Sequence, residues 1–154
     1  MRTKSSRSIR PKRKRASRVA VQYACRAASV PAASRLRAFA RAAGAKAAQV
    51  TLRVVGASEG RRLNRTYRRT DRATNVLAFD GGDIVLCHPV VVREARRQEK
   101  TLRAHYAHLV VHAMLHLRGY RHDRLRDARR MEKRETAILS GLGYADPYAA
   151  PIRA

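Results

Sequence analysis

Four histidines recur along the segment HYAHLVVHAMLHLRGYRHD: His105, His108, His112 and His116. On a helix they span roughly 80° of one face. His112 and His116 are one turn apart, so their rings can share a metal ion. A single row cannot complete the site, because His108 and His116 lie about 12 Å apart along a helix axis. Zinc holds nitrogen at about 2.1 Å in a tetrahedron. A better third ligand lies beyond Gly119. A glycine there can adopt the left-handed conformation, end the helix and let the chain turn back, bringing in His122. His112, His116 and His122 are therefore the expected ligands of one Zn2+ per chain. His105 and His108 are expected to support them. Three protein ligands leave a fourth position for water, the arrangement of catalytic zinc, whereas structural sites are closed by four. The chemistry this predicts is hydrolysis. A zinc peptidase of the familiar kind is excluded, since its general-base glutamate would follow the first histidine and Ala113 stands there.

The elements that must position these residues follow from periodicity. Alternating apolar residues predict strands over 18–25 and 49–56. Pro31 suits the first turn of a helix carrying Leu36, Phe39, Ala40 and Ala43, and Gly44 can end it. Ser58 is placed to cap a short helix through Tyr67. Strands over 74–79 and 83–88 are separated by so few residues that a hairpin is expected. Pro89 can begin a helix reaching about Gln98. The histidine helix is expected from about Leu102 to Arg118. A last helix over 127–139 would bury Met131, Ile138 and Leu139. This order predicts an α+β domain over 18–154, with a small mixed sheet of about four strands, antiparallel pairing and the metal site at the end of a central helix.

Charge limits the partners. The 154 residues carry 35 Lys+Arg against 11 Asp+Glu, a formal net charge of +24. The first 18 residues, MRTKSSRSIRPKRKRASR, hold nine of the positive charges and no acid. A polyanion is the natural partner, and a nucleic acid is the commonest. A lineage rich in arginine would give the same bias in the body of the chain. Residues 1–17 read as a disordered basic arm, with a transit peptide as the alternative reading. No apolar run approaches the roughly 18 residues of a membrane span, so no membrane partner is expected. Cys25 and Cys87 are far apart and in no paired motif, which fits a reducing, cytoplasmic setting.

The segment HAMLHLRGYRHD resembles the signature HGxLHLxGYDH of the YbeY endoribonuclease and rRNA maturation factor family. LNRTYRRTDRATNVLAF is similar to the family's LNxxYRxxDxPTNVLSF, and GDIVLC, AHYAHLVVH and LGYADPYAA also resemble family segments. The resemblance covers roughly 18–150. It implies a zincin-like α+β fold, one zinc, and cleavage of single-stranded RNA in small-subunit rRNA maturation and ribosome quality control. Ribosomal or ribosome-associated proteins would be further partners. His112, His116 and His122 fall on the family's zinc ligands, and Arg68 falls on its functionally important arginine, so Arg68 and His112 are the residues expected to carry catalysis. The departures are Ala113 for Gly, Arg121 for Asp, Ala73 for Pro, Ala78 for Ser, and a short connection from Phe79 to Gly82.

Zinc can bring the pKa of a bound water down to about 7, and the guanidinium of Arg68 can stabilise charge gathering on a phosphodiester. Asp71 and Asp83 are candidates to orient ligands or bind substrate, or else turn and cap residues. The competing reading is an RNA-binding ribosome assembly factor whose zinc mainly stabilises the fold and whose arm does the essential work. The arm itself generates a test. Deleting residues 1–17 should flatten the slope of log RNA affinity against log salt concentration, without altering sequence preference. An unchanged slope in a fluorescence titration would show that the arm does not touch RNA.

Overall fold

The computed structural model describes residues 18–44 and 49–149. The expected basic arm, 1–17, lies outside the described residues, as do 45–48 and 150–154. The elements run β1 (Val19–Tyr23), α1 (Ala33–Ala42), β2 (Val50–Val55), α2 (Ala57–Arg68), β3 (Val76–Phe79), β4 (Asp83–Cys87), α3 (His88–Arg97), α4 (Leu102–Leu117) and α5 (Leu125–Gly141). The fold is the expected α+β arrangement with one mixed four-stranded sheet, ordered β1-β2-β4-β3.

The expected hairpin is present as β3 and β4, and antiparallel pairing is confined to it. β1 with β2 and β2 with β4 are parallel, and only β3 with β4 is antiparallel. The reason is the connections. α1 carries the chain back across the sheet between β1 and β2, and a helical crossover returns a strand parallel to its predecessor. The one antiparallel pair among the described strands is joined by the tight turn from Phe79 to Gly82, closed by Gly82 N–H donating to Phe79 O at 2.9 Å. Local signals also moved. Pro31 precedes the helix rather than opening it, and its carbonyl accepts the Tyr23 hydroxyl at 2.6 Å. Ser58 lies inside the first turn of α2, with Gly56 at the cap position and no side-chain cap bond. α5 is longer than expected at both ends.

Strand alternation divides the apolar residues between two faces. Val50, Leu52 and Val54 of β2 and Ile84 and Leu86 of β4 join Leu36 and Phe39 of α1, the apolar side of α4, and Met131 and Leu139 of α5 in the main core. Val55, Leu77, Val85 and Cys87 face the other way and pack beneath α2 with Leu63 and Phe79. α4 is buried nearly all round, as a central helix must be. Thr101 caps its start by accepting Ala104 N–H at 3.1 Å. Its end is a glycine turn: Gly119 has φ +92, its N–H donates to His116 O at 3.0 Å, and Tyr120 N–H reaches back to Leu115 O at 3.0 Å.

Gly82 has two independent reasons to be glycine. Its φ is +95, and a Cβ there would stand 2.5 Å from the backbone oxygen of Gln49. Gly119 has the first reason only, since nothing lies within 4 Å of its Cβ position. Gly82→Ala should therefore cost more than the roughly 1–3 kcal/mol of a strained backbone conformation alone, and Gly119→Ala should stay within that range. Urea denaturation of the metal-free proteins reads the difference; equal losses would mean that the Gln49 carbonyl yields freely.

Candidate metal centre

The last two turns of α4 and the chain after Gly119 bring three imidazoles together. His112 and His116 project from one side of the helix with their Nε2 atoms 3.1 Å apart. The ring of His122 returns to within 5.7 Å of His112 and 4.7 Å of His116, centroid to centroid. One ligand atom from each lies within 4.8 Å of the others. Two nitrogens on a tetrahedral zinc stand about 3.4 Å apart, so the helical pair is close to that spacing and His122 needs only a small approach. His112 and His116 are partly buried and His122 is exposed. The three line a cleft of about 750 Å³ with Arg68, Asn75 and Asp80.

The donor chemistry also fits. His112 Nδ1–H donates to the Oε1 of Glu135, which leaves the Nε2 lone pair turned towards the other two rings. His116 is held below the usual histidine range, first by burial and then by His112 and His122, so it presents a neutral ring at neutral pH. Glu135 has no solvent exposure. Burial alone would raise its pKa, but hydrogen bonds from His108, His112 and Tyr148 outweigh that and bring it to about 2. His108 Nε2 is 3.1 Å from Glu135 Oε2 and 3.2 Å from the Tyr148 hydroxyl. The Tyr148 hydroxyl, from the segment after α5, donates to the same carboxylate and is pushed upward by burial and by that bond. His105 is further back, with Nε2 2.8 Å from Glu94. Both upstream histidines thus stand behind the site. A second cluster, His108, His112 and Glu135, also has metal-compatible spacing. It would need the Nδ1 proton of His112 and would break the bonds that neutralise Glu135, so the open trio is the better cradle.

Arg68 ends α2 and lines the same cleft. Its Nη2 rests 3.5 Å from Ala78 O, and among the described residues it makes no ion pair. The two candidate aspartates are elsewhere. Asp71 is exposed and held by Arg61 through two bonds of 2.8 Å, which keep its carboxyl below the usual range. Asp83 opens β4 on the far side of the sheet, lining the hollow under α2. Neither reaches the histidines, because α2 and the alternation of β4 turn them away.

The family model described as Endoribonuclease YbeY matches residues 31–143. The chain belongs to the YbeY family. A protein of Nitrosospira multiformis named Endoribonuclease YbeY is 47% identical over 167 residues, covering 94% of this chain and 88% of that protein. Its namesakes in an Acidovorax species and in Aromatoleum aromaticum are 58% and 52% identical, covering 67% and 77% of this chain and 73% and 82% of their own. The solution structure of TM1509 from Thermotoga maritima shares the fold, with a TM-score of 0.53 at 19% identity, covering 89% of this chain and all of that one.

Against the YbeY signature, Arg121 replaces an aspartate, and Glu135 supplies a carboxylate from another element. Sequence reading missed Glu135 and Tyr148. A signal for Glu135 existed: it falls on the apolar stripe of α5 with Met131, Ile138 and Leu139, and an acid at such a position needs a partner. The expected outcome of chelator competition is one zinc per chain, lost from His122→Ala and kept by His108→Ala. Glu135→Gln should bind it roughly 10- to 100-fold more weakly. Full retention in His122→Ala with loss in His108→Ala would transfer the site to the inner cluster.

Proposed function

We propose that this protein is a zinc-dependent endoribonuclease that cuts single-stranded RNA, and that it serves small-subunit rRNA maturation and ribosome quality control in the cytoplasm. The observation that carries this reading is the sharing of one cleft by three convergent imidazoles and a guanidinium with no acidic partner among the described residues. Membership of a family whose members are named endoribonucleases supports RNA as the substrate. A net charge of +24 draws a polyanion to the surface. Small-subunit rRNA and ribosomal or ribosome-associated proteins are the partners this reading implies.

Zinc held by His112, His116 and His122 would supply an acidified water at neutral pH. The remaining work falls to the chain. Glu135 keeps His112 in the tautomer whose Nε2 faces the cleft. Arg68 is a permanent cation, so it cannot ligate zinc but can hold two phosphate oxygens at once. Its resting contact with Ala78 O is long, and an anion can displace it readily. As negative charge gathers around phosphorus, that two-pronged contact strengthens, which is the differential binding that lowers a barrier. Arg121 lines the same cleft and adds to its positive field.

Single-turnover cleavage of a defined single-stranded RNA tests both metal and arginine. Wild type should cut, and His116→Ala should not; cutting by neither would favour the assembly-factor reading. Arg68→Ala should keep its zinc and thermal stability while losing on the order of 3 kcal/mol of transition-state stabilisation. Arg68→Lys should recover only part, because it keeps the charge and loses the fork. Loss of zinc or of fold in Arg68→Ala would make the residue structural.

A further inference from the structure

Tyr67 and Arg68 are consecutive at the end of α2, and Ala78 and Phe79 are consecutive on β3. One member of each pair serves the metal cleft: Arg68 reaches the Ala78 carbonyl there. The other members meet around the sheet edge. Tyr67 and Phe79 line a second hollow of about 500 Å³ on the face opposite the metal. Their rings stand 5.0 Å apart at 73°, an edge-to-face pair that fixes the tyrosine. Tyr67 nevertheless remains 61% exposed, one of few large apolar side chains left so open among the described residues. Leu63 lines the same hollow. Polar groups rim the hollow. Arg53 is locked to Glu59 at 2.9 and 3.2 Å and to Gln22 at 3.2 Å, and Asp83 is exposed. β3 is the edge of the sheet, so no described strand covers its outer side.

We infer that Tyr67, held by Phe79, is a stacking platform for a nucleobase of single-stranded RNA whose phosphate occupies the metal cleft. This rests on the reading of that cleft as an RNA-cleaving site. A strand with a phosphate on Arg68 needs only to pass the β3 edge to lay a base on the neighbouring tyrosine. A fixed, exposed aromatic beside a cation is what sequence-tolerant binding of single strands uses, since every base has a π-face. Donors and acceptors on the rim can meet the base edge without dictating its identity. A base-paired strand keeps its bases stacked on one another and cannot use the platform, so the platform favours unpaired RNA. The positive surface argues for RNA over a basic peptide as occupant.

The experiment is a titration of fluorescein-labelled single-stranded RNA with zinc-loaded wild type, Tyr67→Ala and Tyr67→Phe. Anisotropy and single-turnover cleavage are read on the same samples. Tyr67→Ala should weaken binding roughly 5- to 100-fold, with the loss in half-saturation rather than in the plateau rate. Tyr67→Phe, which keeps the ring, should stay within about twofold of wild type. Homopolymers of different base should show similar losses, and double-stranded RNA should show none. Unchanged RNA binding in Tyr67→Ala overturns the inference, as does an equal loss in Tyr67→Phe or a loss accompanied by release of zinc. If no protein cleaves yet anisotropy still depends on the Tyr67 ring, the platform stands and the nuclease reading fails. If cleavage is normal and Tyr67 is silent, the reverse holds.

Discussion

A carboxylate with no access to water sits under the metal centre, and much of the architecture answers to it. An ionised carboxylate buried alone costs several kcal/mol, so it must be surrounded by donors or lose its charge. Glu135 finds three, His108 and His112 on α4 and Tyr148 beyond the end of α5. Those bonds fix the register of α5 against α4, because the two histidines are one helical turn apart and the carboxylate must reach both. They also fold the segment after α5 back across α4. The same carboxylate fixes the tautomer of His112. Packing and site chemistry are thus set by one side chain. The arrangement leaves a residue of imperfection: His108 Nδ1 is buried without a partner, as is His105 Nδ1. When the opposite ring nitrogen donates to a carboxylate, each orphan is an unused acceptor rather than a stranded proton.

The sequence made the site more legible than the sheet. His112 and His116 at helical spacing, followed by Gly119 and His122, specify local geometry, because the helix, its glycine stop and the turn lie within eleven residues and depend on nothing distant. The glycine turn is present with positive φ and both of its characteristic hydrogen bonds. The β3–β4 hairpin was legible in its short connection, but the parallel pairing of β1, β2 and β4 was not, since it depends on where α1 and α2 carry the chain between strands. The same holds for Asp71, a plausible site residue in its motif, which Arg61 claims from about two turns of α2 and a short loop away. Glu135 was hidden for the opposite reason. Two of its partners are 23 and 27 residues upstream and the third is 13 downstream, and only the apolar stripe around it hinted at burial.

The acids are few, and several of them are held by neighbouring donors. Glu59 takes Arg53, Asp71 takes Arg61, Glu94 takes Asn75 and His105, and Glu135 takes its three donors. The exposed pair Arg61–Asp71 contributes little to stability, as solvent and salt screen it. Its effect is to remove one acid from the potential that an approaching phosphate meets. Arg68 and Arg121 have no such partner among the described residues and face the cleft, so the positive field is focused beside the histidines.

The position of the trio bears on what a metal would do there. Structural zinc commonly stands in for a core that a small domain lacks, and such domains unfold without it. Here the core closes independently. Phe39, Leu36, Leu52, Ile84, Leu86, Tyr106 and Leu115 are buried between the sheet and α1, α4 and α5, and none of the three imidazoles belongs to that cluster. The trio sits at the rim instead, with His122 on the exposed turn after the helix. An ion held at the rim by these three ligands would keep a side open to the cleft, and its removal would leave the packed layers intact. That separation is what a catalytic metal would require and a purely structural one would not: the fold would supply rigid ligands, and the open side would be free for a substrate.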